Sequence, residues 1–128
     1  MRHSILIVED DEALRSTLAR HLRARGDHVV ETDTAEGAAT VLVGGLRPDL
    51  VLLDINLPGD TGWSLLRDPA MTAAGSPPVV VTTATTISSR RLREYGVAGY
   101  LPKPFPLETL VATVERLIQP REASTQDV

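Results

Sequence analysis

Apolar residues along the chain fall into two alternating kinds of segment. Short β-branched or leucine-rich runs stand at Ile5-Leu6-Ile7-Val8, Val29-Val30, Leu50-Val51-Leu52-Leu53, Val79-Val80-Val81 and Tyr100-Leu101. The first, third and fourth are continuous, as expected of strands covered on both faces of a parallel sheet. Between them the spacing turns helical. Leu14, Leu18 and Leu22 recur every fourth residue, and residues 35–46 carry Ala38, Val41 and Leu42 behind an Asp33-x-x-Glu36 capping signal. Leu107, Leu110, Val111, Val114, Leu117 and Ile118 make one unbroken stripe, with Pro106 near its start and Pro120 just past its end. Two helices are predicted to be weaker. The one around residues 63–67 meets Pro69 early and must stop or kink. The one around residues 88–95 has only Ile87 and Leu92 to bury, beside Arg90, Arg91 and Arg93, so it should be short, exposed and poorly anchored.

Strand and helix in repeated alternation predict an α/β fold with a parallel sheet and helices on both faces, because right-handed crossovers put them there. A length of 128 residues suits one domain, expected over residues 1–119. Residues 120–128 are polar and without periodicity, and are expected to form a flexible tail or the start of a linker. The chain has no cysteine, which removes disulfides, thiolate metal sites and cysteine nucleophiles together and agrees with a reducing, cytoplasmic location. The longest apolar runs are four residues, so no membrane span is expected, and the first residues lack the apolar length of a signal peptide.

Charge sharpens the picture by its distribution. Residues 1–60 hold eleven acidic against six basic side chains, while residues 61–128 are nearly balanced. An acidic first half without a basic stripe argues against direct nucleic-acid binding, and one Trp, two Tyr and one Phe cannot build a base-stacking platform. Among thirteen basic residues there is a single lysine, Lys103.

In an open parallel sheet, ligands sit outside the carboxyl ends of the strands. The residues following the predicted strands are Glu9, Asp10, Asp11 and Glu12; Asp54 leading into Asn56, Pro58, Gly59 and Gly62; Thr82, Thr83 and Ala84; and Lys103, Pro104 and Phe105. Crowded carboxylates repel and raise one another's pKa unless a cation lies among them. Oxygen ligands without sulfur or imidazole favour Mg2+ over softer ions. An ammonium beside such an ion is equipment for stabilising charge on a phosphoryl group. No glycine-rich phosphate loop is present, because Gly44-Gly45 is followed by Leu-Arg-Pro, so a cradled nucleotide is not expected. A carboxylate can itself be the nucleophile and hold the phosphoryl group as an acyl phosphate, and Asp54, at the centre of the edge, is best placed for it.

These residues carry a resemblance. Ile5-Leu6-Ile7-Val8-Glu9-Asp10-Asp11, Pro48-Asp49-Leu50-Val51-Leu52-Leu53-Asp54, Leu57-Pro58-Gly59 with Gly62, Val81-Thr82-Thr83-Ala84, and Gly96 through Tyr100-Leu101-Pro102-Lys103-Pro104-Phe105 follow one another in order. In that order and spacing the chain resembles the receiver domain of bacterial two-component response regulators from residue 3 to about residue 118. The resemblance implies a flavodoxin-like, doubly wound five-stranded parallel sheet of order 2-1-3-4-5, and a phosphorylation-dependent switch rather than an enzyme. Asp54 would accept a phosphoryl group from a histidine of a partner kinase or phosphotransfer protein. Glu9, Asp10, Asp54 and the backbone carbonyl of Asn56 would hold Mg2+, with Asp10 the direct ligand of the acidic pair. Lys103 would contact the phosphoryl oxygens and precede a cis peptide to Pro104. Thr83 would supply a hydroxyl that moves toward the phosphate, and Tyr100 would report the movement to the face formed by the helix around residues 88–95, the fifth strand and the last helix. An output domain or target would read that face, and the chain would be a monomer or a phosphorylation-dependent homodimer. Asn56 and Thr85 resemble residues that tune hydrolysis of the acyl phosphate.

Plainer roles compete for some positions. Asp11 and Glu12 read as N-terminal helix acids, Thr82 stands beside Thr83, Tyr100 and Trp63 suit a core, and His3, His21 and His28 lack ligand spacing. Arg90, Arg91 and Arg93 read as a solvated face unless a partner uses them. The interval from Thr83 to Lys103 is short for the family, Thr113 stands where dimerising members carry arginine, and Gly99 replaces an acid. Two other functions remain: a receiver-like module regulated without phosphate, and an aspartate-nucleophile phosphatase. The phosphatase would need a general acid where Asn56 stands.

Overall fold

The computed structural model describes residues 3–59 and 61–118. Five strands, β1 (Ser4–Val8), β2 (His28–Thr32), β3 (Leu50–Asp54), β4 (Val79–Thr83) and β5 (Gly99–Pro102), pair in parallel in the order β2-β1-β3-β4-β5. The described helices are α1 (Glu12–Ala24), α2 (Ala35–Val43), α3 (Gly62–Leu66), α4 (Pro69–Ala73), α5 (Ser89–Glu94) and α6 (Leu107–Leu117). This is the expected doubly wound α/β sheet.

Period-two alternation sorts the continuous apolar strands onto two cores. Leu6, Val8, Val51, Leu53, Val79 and Val81 face one core with Ala38 and Leu42 of α2, Leu65 of α3 and Met71 of α4. Ile5, Ile7, Leu50, Leu52 and Val80 face the other, with Leu18 and Leu22 of α1 and Leu110 and Val114 of α6. Fully burying one such side chain contributes roughly 1.5–3 kcal/mol, so the two layers hold the sheet without cross-links.

Helix ends follow from capping chemistry. Asp11 caps α1, its side chain accepting the Leu14 N–H at 3.1 Å. The signal at Asp33 is corrected by one position: Thr34 is the cap of α2, its Oγ1 accepting the Gly37 N–H at 2.9 Å. Glu36 then falls one residue short of the position from which an acid could reach back to the cap. The same helix closes at Val43 and not at Leu46, because the chain turns at Gly45, whose φ of +114° suits glycine. The helix expected around residues 63–67 stops before Pro69, as expected, and a second short helix follows it. The Pro69 ring cannot continue α3, and it opens α4 behind the Asp68 cap, which accepts the Ala70 N–H at 2.9 Å.

α5 has six residues and buries none of them, as its composition predicted. It is nevertheless tied down. The Trp63 and Tyr95 rings lie 4.5 Å apart, Arg91 stands 4.5 Å above Trp63, and Arg67 stands 4.6 Å from the Tyr95 ring centre. Arg91 is thus part of a cation–aromatic stack rather than a freely solvated charge. The tail expected at residues 120–128 lies outside the described residues. No described helix is long and apolar enough to cross a membrane.

Candidate functional site

β1, β3, β4 and β5 end together, and their carboxyl ends deliver the site. In the sheet register Asp54 stands opposite Thr82, and Thr83 opposite Pro102. Glu9 follows β1 at once and is 2 % exposed, Asp54 ends β3 at 4 %, and Asp10 is open to solvent. One carboxylate oxygen from each of the three lies within 4.8 Å of the others.

The only lysine reaches into this cluster. Lys103 Nζ stands 2.7 Å from Glu9 Oε1 and donates to Asp54 Oδ2 at 3.2 Å. It is placed there by its backbone N–H, which donates to the Thr83 carbonyl at 2.8 Å, and the Lys103–Pro104 peptide is cis. The Asn56 N–H donates to Asp54 Oδ1 at 2.9 Å, so the other carboxylate oxygen is also held. Glu9 Oε2 accepts the Asp11 N–H at 3.0 Å. Glu9 Oε1 has only the close charge contact, with no partner in hydrogen-bond geometry.

Electrostatics follow from this crowding. Burial pushes the Glu9 carboxyl up to about 7; Lys103 and the Asp11 N–H pull it down, and the Asp54 charge adds to the rise. Burial pulls Lys103 downward, but the Glu9 and Asp54 carboxylates outweigh it and hold the ammonium above its ordinary pKa. Three carboxylates against one ammonium leave an excess of negative charge at a partly dry edge. A hard cation matches that excess, because all the donors are oxygens and three carboxylates outnumber the one ammonium.

A second chain of contacts leads away from Asp54. Asn56 Nδ2 donates to Thr83 Oγ1 at 2.7 Å, and Thr83 Oγ1 lies 2.9 Å from Thr85 Oγ1. The Thr85 N–H also donates to Thr83 Oγ1, at 3.0 Å. The Tyr100 hydroxyl donates to the Thr85 carbonyl at 3.4 Å, while its ring packs partly buried against the core beneath β4. Thr83, and not its neighbour Thr82, therefore faces the site. Of the residues singled out for the site, Glu9, Asp10, Asp54, Asn56, Thr83, Thr85 and Lys103 stand at this edge, while Tyr100 lies within β5 opposite Val81 and reaches it only through its hydroxyl. Asp11 and Glu12 begin α1 instead.

Two supports were not foreseen. Arg15 Nη1 donates to the Glu9 carbonyl at 2.9 Å, and its Nε is 3.5 Å from Glu31 Oε1, so the first turn of α1 braces the acidic loop against β2. Nothing in the spacing of Arg15 signals that reach. Gly62 begins α3 directly under the site. A Cβ there would lie 2.8 Å from the Asp54 carbonyl oxygen and 2.9 Å from Ile55 Cα, which accounts physically for a glycine three residues after Gly59.

Comparison with known proteins agrees with this geometry. The family model for the response regulator receiver domain matches residues 5–115. The response regulator MprA of Mycobacterium sp. (strain KMS) is 36% identical over 116 residues, which is 90% of this chain and 50% of that protein. The chain thus spans about half the length of the curated relatives it matches. Among solved structures, the non-phosphorylated HemR receiver domain from Leptospira biflexa is 34% identical with a TM-score of 0.77, covering 92% of this chain and 95% of the other. The response regulator protein TrrA from Thermotoga maritima, in complex with Mg2+-BeF, is 25% identical with a TM-score of 0.77, covering 90% and 98%. Sheet order, acidic edge and family match converge: this chain belongs to the response regulator receiver domains of two-component systems.

Proposed function

We propose that this chain is a phosphorylation-controlled switch whose acceptor is Asp54. The observation that carries the reading is the meeting of the sole lysine with two buried carboxylates: Lys103 Nζ at 3.2 Å from Asp54 and 2.7 Å from Glu9. A lone ammonium kept at the edge where carboxylates crowd is a charge arrangement that stabilises a phosphoryl group transferred there.

Glu9, Asp10, Asp54 and the backbone carbonyl of Asn56 would hold Mg2+; the donor set fits, and the Thermotoga maritima relative was solved with Mg2+-BeF. When bound, the ion supplies a positive charge that offsets the nearly two negative charges brought by a phosphoryl group. The chain's own groups do the rest. An oxygen of Asp54 attacks the phosphorus of a phosphohistidine on a partner kinase or phosphotransfer protein. The P–N bond breaks, its electron pair returns to the imidazole, and Asp54 becomes an acyl phosphate. Asn56 N–H and Lys103 orient the carboxylate, and Lys103 stays beside the new oxygens. The transfer is assisted by the receiver itself, with slow hydrolysis by water under the influence of Asn56 and Thr85. Thr83 and Tyr100 relay the change to the face of α5, β5 and α6, which an output domain or target reads. Domain limits near residue 119, a cytoplasmic setting, and either a monomer or a phosphorylation-dependent homodimer complete the reading.

Acetyl phosphate with Mg2+ tests it by intact mass. The expected result is a gain of one phosphoryl group that disappears in Asp54→Asn. A wild-type chain that gains none under these conditions is a receiver-like module regulated without phosphate, and rapid turnover of a generic phosphomonoester would mark a phosphatase.

A further inference from the structure

Counting protons on one hydroxyl identifies what holds the switch in its resting state. Thr83 Oγ1 is fully buried and makes three close polar contacts. Two of them are N–H groups that can only donate: Asn56 Nδ2 at 2.7 Å and the Thr85 backbone N–H at 3.0 Å. A hydroxyl has two acceptor sites and one proton. Both acceptor sites are therefore taken, and the proton has one neighbour left to receive it, Thr85 Oγ1 at 2.9 Å.

We infer that Thr85 is a positioning residue that clasps the Thr83 hydroxyl away from the phosphoryl site. The inference rests on the switch reading above and deepens it. A phosphoryl oxygen is an acceptor only, so it can bond Thr83 only by taking the proton now given to Thr85. The two acceptors compete for one donor, and the buried Thr83 hydroxyl has no second proton to offer. Thr85 also binds Tyr100, whose hydroxyl donates to the Thr85 carbonyl at 3.4 Å. Thr85, at the start of the β4–α5 connection, thus holds the donor at the site. Transfer of the Thr83 hydrogen bond from Thr85 to a phosphoryl oxygen releases the Thr85 side chain at the start of the β4–α5 connection, which carries a local charge into that connection.

The test uses beryllofluoride with saturating Mg2+ and reads its affinity by calorimetry in the full chain. Thr85→Val keeps the shape and removes the acceptor, so the resting arrangement loses one hydrogen bond. Beryllofluoride should bind about fivefold more tightly to it, and Thr85→Ala should do the same. Thr85→Ser, which keeps the hydroxyl, should bind as wild type does. Mg2+ affinity without beryllofluoride should be the same in all four proteins, which a general loosening of the site would not produce. Unchanged or weaker binding in Thr85→Val, or a Thr85→Ser variant that behaves like it, overturns the clasp while wild-type binding keeps the switch reading intact. If wild type itself binds no beryllofluoride, the switch reading falls, and the clasp with it.

Discussion

Lys103 shows how one side chain can set the state of a site. It stands between Glu9 and Asp54, both nearly dry, and half-compensates them while remaining partly open to water. Removing it leaves two buried carboxylates facing each other. In chelating buffer, Lys103→Met should lower the unfolding free energy by about 2 kcal/mol, less than the roughly 3–5 kcal/mol of a fully buried pair because water still reaches the ammonium. Urea unfolding measures this, and Mg2+ should restore most of the loss. An unchanged midpoint in chelator would mean that the ammonium offsets no charge there. The same variant should accept a phosphoryl group on Asp54 without altered amide exchange in the β4–α5 connection, since Lys103 no longer links β5 to the new charge. Around this lysine, chemistry-bearing residues were legible in the sequence because each follows a recognisable strand. Arg15 was not: a guanidinium reaching six residues back to a carbonyl leaves no periodic trace.

Among the elements, α5 sets the contrast between composition and context. Its residues bury nothing, and hydrophobic burial gives it no anchor. What holds it is the stack that joins Trp63 and Arg67 at α3 to Arg91 and Tyr95 at the α5 end. Each cation–aromatic contact at an exposed site is worth about 0.5–1 kcal/mol, enough to seat a short helix but not to lock it. Trp63→Leu should therefore speed amide exchange of residues 91–97 several-fold, with little effect on α1 or α6. Hydrogen exchange read by mass spectrometry gives the result. Uniform exchange across the chain would instead make Trp63 a plain core residue. The sequence placed this helix and its weakness correctly, and the stack escaped it because its four members come from segments separated in sequence. Pro69 signalled a break in the chain but not the short helix α4 that it opens. That helix needs Asp68 as its cap and Met71 to reach the core.

For the molecule as a whole, two apolar layers fix the sheet, and the sheet fixes the distances among strand ends. Metal binding at those ends must then stabilise the whole chain, because the unfolded chain has no such cluster. At a Mg2+ concentration one hundred times its Kd, the unfolding free energy should rise by about 2.7 kcal/mol. For a domain of this size that corresponds to roughly 10 °C in midpoint. Scanning calorimetry with and without chelator measures the shift, and Asp10→Asn should remove most of it. A shift of equal size in that variant would place the ion elsewhere.

From residue order alone come the five-strand alternation, the continuous apolar strands that require two covered faces, and the set of groups left at the strand ends. Those features are local or periodic, and periodicity survives in one dimension. The proton inventory at Thr83, the brace from Arg15, the stack that seats α5 and the closeness of Gly62 to the Asp54 backbone were decided by folding. Each depends on segments far apart in the chain meeting within a few ångströms, and no pattern along a single segment encodes such a meeting.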